Sequence, residues 1–236
     1  MLNIVLLPGM DGTGKLFQEF VTALPESLKT VIVRYPTEQH ISYVELENLV
    51  RTACPASEQY ILLSESFSTP LAVKFAASNP ANLAGLVLCA GFASSPVKGW
   101  RRFLGHLFAP LVFHLPLSNF AARQWLVGPD APSSLLAAVR AAVASVQPRV
   151  LAARLQALLR CDVRTELGQI EVPILYFQGI GDRLVSASCL GEIRRIKPQV
   201  KVASIVGPHL LLQRQPHRCA EAMVEWAKAC CPGSML

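Results

Sequence analysis

Charge is scarce in this chain of 236 residues: Asp, Glu, Lys and Arg make up 16% of it and hydrophobic residues 52%, against about 25% charged in a typical soluble domain. A composition this apolar excludes a disordered or solvating chain, and the length fits one domain with one large core. Long apolar runs are missing too. The most apolar stretch, Phe103 to Leu117, contains His106, Pro110, His114 and Pro116 and falls short of the roughly 18 residues that suggest a transmembrane helix. The first residues lack the basic segment and cleavage site of a secretory signal and read as a strand, so a cytoplasmic protein is expected. Metal-ligand spacing is absent. The seven cysteines (Cys54, Cys89, Cys161, Cys189, Cys219, Cys230 and Cys231) form an odd set with no Cys-x-x-Cys pair, and the five histidines are scattered. Reduced thiols, no metal and no cofactor are therefore expected. Repeats and low-complexity linkers are lacking as well.

What the chain does have is a serine at a strand-to-helix junction. The apolar run Tyr60-Ile61-Leu62-Leu63 leads into Ser64-Glu65-Ser66-Phe67-Ser68 and then a helix-compatible stretch. That is the layout of the Gly-x-Ser-x-Gly elbow, with serines where glycines usually sit. Ser66 is the candidate nucleophile; Ser64 and Ser68 read as small residues that a sharp turn tolerates. Glu65 should point away from Ser66 and serve a supporting or surface role.

An acid and a base follow in order. Asp182 comes just past the run Val172 to Phe177, in Gln178-Gly179-Ile180-Gly181-Asp182, and His209 follows Lys201 to Val206 in Gly207-Pro208-His209. Serine, acid and histidine, each after a strand, is the order of a hydrolytic triad. His217 is the weaker candidate base, since no strand delivers it to the sheet edge. At the front, Asn3 to Leu7 reads as a strand and Pro8-Gly9-Met10-Asp11-Gly12-Thr13-Gly14 as a loop. The same loop, with Lys15, matches Gly-x-x-x-x-Gly-Lys of phosphate-binding loops, but Leu16 stands where the magnesium-holding hydroxyl belongs.

Strands expected near 3–7, 30–35, 59–64, 84–90, 172–178 and 201–205 alternate with helical patterns at 15–24, 42–54, 67–78, 187–196 and 216–230. This predicts an α/β protein with a mainly parallel six-stranded sheet covered on both faces. Residues 97–164 break the alternation: they are helical in tendency, strand-poor and punctuated by prolines. The expected division is a core of 1–96 with 165–236 and a helical cap of 97–164. The cap carries nine basic against two acidic residues, the remainder 13 against 14.

The segments Leu7-Pro8-Gly9-Met10-Asp11-Gly12-Thr13-Gly14 and Glu65-Ser66-Phe67-Ser68 resemble those of bacterial α/β-hydrolase-fold esterases and of the hydrolase part of plant plastid acyltransferases that esterify phytol and diacylglycerol. The resemblance implies an acyl-enzyme on Ser66, with Asp182 and His209 completing the triad. It implies an oxyanion hole from the backbone N–H groups of Met10 and Phe67, whose side chains then shape the pocket. It also implies a small-molecule ester or thioester substrate. Within the cap, Phe103, Leu104, Leu107, Phe108, Leu111, Val112 and Phe113 recur at helical spacing, and Phe108, Leu111 and Val112 are the expected acyl-binding residues. Three alternatives stand beside ester hydrolysis: acyl transfer from the same intermediate, a non-catalytic binding protein, and nucleotide binding through the first loop. Nucleic acid is not expected, because no recognition motif or basic-aromatic stripe accompanies the charge. The basic, apolar cap is compatible with weak association with lipid surfaces, beside the plainer reading that its arginines solvate outer helix faces. Oligomeric state is not legible.

Overall fold

The computed structural model describes residues 2–230; Cys231 lies outside them, and the side chains of Arg101, Arg102, His106 and Pro110 are likewise outside the described set. Strands β1 (Asn3–Leu7), β2 (Lys29–Ile32), β3 (Tyr60–Glu65), β4 (Leu83–Cys89), β5 (Ile174–Gly179) and β6 (Lys201–Ile205) form one parallel sheet in the order β2-β1-β3-β4-β5-β6. Helices α1 (Gln18–Ala23), α2 (Tyr43–Ala53) and α3 (Thr69–Ala77) follow the first three strands in turn. Between β4 and β5 come α4 (Gly99–Val112), α5 (Asn119–Ala122), a π-helical turn (Arg123–Val127), α6 (Ser133–Ala144), α7 (Pro148–Arg160) and α8 (Arg164–Gln169). The chain ends through α9 (Ala187–Ile196), α10 (Leu211–Arg214) and α11 (Pro216–Cys230).

All of β1 and β3 is buried, which is why they read as nearly unbroken apolar runs: a central strand of a parallel sheet is covered on both sides. The pleat sorts alternate residues into two cores. Val5, Leu7, Leu62, Leu86 and Leu88 face Leu46 and Val50 of α2, Leu71 and Phe75 of α3, and Leu190 and Ile193 of α9. Ile4, Leu6, Ile61, Leu63 and Val87 face Phe20 of α1 and Met223 and Trp226 of α11. Each such side chain contributes roughly 1.5–3 kcal/mol through burial. Local signals agree with the packing: Ser42 and Glu45 form a reciprocal capping box at the start of α2.

Two strands differ from expectation by two residues or more at one end. The second stops at Ile32. Beyond it, Val33 N–H still donates to Leu6 O, but Tyr35 N–H turns to Gly12 O at 2.8 Å, so the chain leaves the sheet to pack under the loop after β1. The fifth starts at Ile174 rather than 172, since Pro173 has no N–H for the ladder and offers only its carbonyl, to Leu86 N–H.

Strand order sets where a site can form. With β2 on one side of β1 and β3 on the other, successive connections depart in opposite directions and leave a crevice at the carboxyl ends of β1 and β3. The loop 8–14 and the Ser66 junction both emerge there.

Candidate active site

Ser66 opens the 3-10 turn Ser66–Ser68 that converts β3 into α3. Its φ is +48°, a left-handed value uncommon for a residue with a Cβ, and such strain persists only where surrounding structure enforces it. Two buried serines do the enforcing. Ser64 Oγ donates to Val87 O of the neighbouring strand at 3.3 Å. Ser68 Oγ donates to Pro8 O and accepts from the Tyr35 hydroxyl at 2.6 Å. Ser68 is therefore more than a small substitute for glycine, because it ties the elbow to the loop after β1.

The acid and base loops are tied in the same way. Ile180 N–H donates to Ile205 O and Gly181 N–H to Gly207 O, at 2.9 and 2.8 Å. A side chain at Gly179 would place its Cβ 2.8 Å from Pro208 O, so only glycine allows these loops to lie so close. The approach sets His209 Nε2 2.9 Å from Ser66 Oγ and His209 Nδ1 2.9 Å from Asp182 Oδ2. Asp182 Oδ1 accepts from the N–H groups of Leu184 and Val185 at 2.8 and 2.9 Å. The tautomer that satisfies both ring contacts has Nδ1–H donating to Asp182 and Nε2 accepting from the Ser66 hydroxyl. His209 and Asp182 are buried as side chains, whereas His217 is exposed on the first turn of α11.

Met10 and Phe67 are placed by their neighbours' carbonyls. Gly12 N–H bonds to Gly9 O at 3.0 Å, and Thr69 N–H bonds to Ser66 O. In a planar trans peptide the N–H points opposite to the C=O. The Met10 and Phe67 N–H groups are thus both directed away from the turns that hold their peptides. Met10 lines the cavity over Ser66. The Phe67 ring does not: it stacks on Tyr43 at 5.1 Å between centroids and is buried in the core. The expectation that both side chains shape the pocket therefore holds for Met10 alone.

Arg154, on α7, was not legible as a site residue. Its guanidinium is buried and donates to Met10 O at 2.9 Å, Asp11 O at 2.8 Å and Pro36 O at 2.8 Å, lying 5.6 Å from the Tyr35 ring centroid. The insertion thereby grips the loop after β1. Gly12 is the residue that admits it, with φ +71° and room for no Cβ, which would sit 2.6 Å from Arg154 Nη1. The phosphate-loop pattern meets a different local structure. Asp11 Oδ1 accepts from Thr13 N–H at 2.9 Å and from the Thr13 hydroxyl, so a carboxylate already occupies one of the donors that a phosphate would need.

A cavity of about 230 Å3 lies over Ser66 and His209. Phe113, Leu126, Val139, Val143, Leu151 and Leu155 line it from the insertion, facing Met10, Phe92 and Val185. Phe108, Leu111 and Val112, the expected acyl contacts, are not in the lining and are exposed. The reason is how α4 packs. It rests on α7 through its smallest residues, with Ala109 fully buried and Gly105 against Leu159, which turns the large side chains outward. Phe113, just past the helix end, reaches the cavity instead.

Of the two roles expected for Glu65, supporting or surface, its position fits the first: it is buried in the cavity wall, with Gln213 Nε2 donating to its Oε2 at 3.3 Å and its Oε1 without a partner. Burial pushes its carboxyl up to about 7; the charge of Asp11 adds to the rise, while His209 and the Gln213 hydrogen bond oppose it. Gln213 Oε1 is unpartnered too.

These features define an α/β-hydrolase fold, and comparison with solved structures shows the same fold. The chain superposes on a bromoperoxidase from Bacillus anthracis with a TM-score of 0.81 and 18% identity, over 96% of this chain and 91% of that one. An esterase from Thermogutta terrifontis matches at 0.78 and 19%, covering 97% and 90%. A lipase-esterase related protein from Clostridium acetobutylicum matches at 0.76 and 16%, covering 95% and 93%. No protein-family model and no curated protein matches the sequence.

Proposed function

We propose that this protein is a serine hydrolase that cleaves carboxylic esters or thioesters of small to medium acyl chains through an acyl-enzyme on Ser66. The observation that carries the reading is the relay from Ser66 Oγ through both ring nitrogens of His209 to Asp182, with 2.9 Å at each ring contact. Ser66 Oγ attacks the carbonyl carbon as His209 Nε2 takes its proton. The bond to the leaving oxygen or sulfur then breaks, and His209 returns that proton to the departing alcohol or thiol. Water repeats the sequence, giving its proton to His209 as it attacks the acyl carbon, and the carboxylic acid leaves. Asp182 holds the imidazole in the competent tautomer and stabilises the imidazolium. The N–H groups of Met10 and Phe67 receive the oxyanion, each well-placed donor contributing roughly 3 kcal/mol to the transition state. The α3 N-terminus adds favourable electrostatics.

The insertion 97–164 serves as the cap over the acyl site. Its cavity of about 230 Å3 is smaller than the roughly 300–1,000 Å3 of pockets for drug-sized ligands, which suits a short or medium chain. The reading is tested by pre-steady-state hydrolysis of p-nitrophenyl esters: a burst of nitrophenol equal to the enzyme, absent in Ser66→Ala, is the expected result. No turnover of any ester or thioester by the wild-type protein would refute it. Added alcohol, with products separated, distinguishes hydrolysis from acyl transfer.

A further inference from the structure

α4 is built inside out for a helix of a water-soluble surface. Trp100, Phe103, Leu104, Leu107, Phe108 and Leu111 share one face at i, i+3, i+4 spacing and are 37–72% exposed. The opposite face, by which the helix meets α7, presents Gly105 and Ala109. An amphipathic helix normally buries its large apolar residues and shows polar ones to water. Here a stripe about 21 Å long, from 14 residues, is left open. A contiguous apolar patch of that kind marks an interaction surface.

Charge identifies the occupant. From Ser66 to Pro129 the sequence contains no Asp or Glu, while Lys98, Arg101, Arg102 and Arg123 fall within or beside the helix and its continuation. A second copy docking through the same face would bring this cationic margin against itself, since two-fold contacts pair like surfaces. An anionic lipid surface complements both the apolar stripe and the charge. No single helix among the described residues is long and apolar enough to cross a membrane, which fits a helix lying in the interface. We propose that α4 docks the protein on anionic lipid bilayers, its exposed stripe in the acyl boundary. Phe113, which follows the helix and lines the cavity, then stands next to the bilayer, giving acyl chains a short route to the site.

Docking does not rest on the hydrolase reading, and Ser66→Ala protein is expected to bind as the wild type does. Sedimentation with vesicles of phosphatidylcholine and phosphatidylglycerol in a two-to-one ratio is the test. The wild-type protein should co-sediment, about tenfold or more weakly with phosphatidylcholine alone and less in high salt. Phe103→Asp with Leu107→Asp should lower vesicle affinity by about tenfold or more while circular dichroism and hydrolysis of soluble acetyl esters stay unchanged. Failure of the wild-type protein to sediment with anionic vesicles would overturn the proposal. So would a dimer in analytical ultracentrifugation that Leu107→Asp dissociates, which would assign the face to a second copy.

Discussion

Glu65→Gln probes the least expected group in the site. In the native protein the Glu65 carboxyl titrates at about 7 against an ordinary 4.5, a difference of about 2.5 pH units, and at about 1.36 kcal/mol per unit this is of order 3 kcal/mol. The native state keeps a proton that the unfolded chain releases, so the sign follows directly. The neutral form's contribution is complete below 4.5 and is lost as the pH rises through about 7. Glutamine has the shape of the protonated acid and no charge to bury. Wild type and Glu65→Gln should therefore be similarly stable near pH 4.5, with the variant gaining up to about 3 kcal/mol as the pH climbs. In thermal unfolding this corresponds to roughly 6–12 °C for a domain of this size. Taking the difference between the two proteins at each pH cancels the titrating groups that do not interact with Glu65. Parallel stability curves from pH 4 to 9 would refute the assignment of a neutral buried Glu65.

Three further outcomes follow from the geometry. Arg154→Met should lower kcat by up to roughly a hundredfold with little change in KM, because Arg154 fixes the loop that carries the Met10 N–H rather than touching substrate; unchanged kcat would detach that loop from the chemistry. Arg154→Lys should not restore it, since a point charge cannot span three carbonyls. Asp182→Asn should reduce kcat by about 10³–10⁴ in steady-state assays with KM nearly constant, and near-native activity would place the acid elsewhere. With a homologous ester series, kcat/KM should rise by about fourfold per methylene up to roughly six to eight carbons and then fall. Leu155→Asp, in the cavity wall, should penalise the longer esters most, and a flat profile would remove that cavity from specificity.

Most of the fold is legible because parallel sheets write themselves plainly. Four apolar residues at Ile4–Leu7, a capping box at Ser42 and a Gly-rich turn before Asp182 each specify local structure without help from distant residues. Ser66, Asp182 and His209 are legible for the same reason: each follows a strand, and the strands set their convergence. What hides from the sequence is tertiary. Arg154 looks like any arginine on an amphipathic helix, and only the fold brings it to Met10, 144 residues away. For Glu65 the sequence leaves a supporting and a surface role open, because neighbours at a turn diverge, and only the fold shows the helix that carries Gln213 closing over it. On α4, helical spacing reveals an apolar face but not its direction, which the small residues Gly105 and Ala109 decide by allowing close approach to α7. A glycine and an alanine four apart in an otherwise bulky helix are the signal that could have reversed the expectation for Phe108, Leu111 and Val112.

The central claim is that Ser66 is a nucleophile activated by His209, and reaction with a fluorophosphonate followed by peptide mass spectrometry tests it most directly. The account predicts one adduct per chain, located on Ser66, absent in Ser66→Ala and strongly slowed in His209→Ala. An adduct on Ser64 or Ser68, or none on wild-type protein that is folded by circular dichroism, would contradict it.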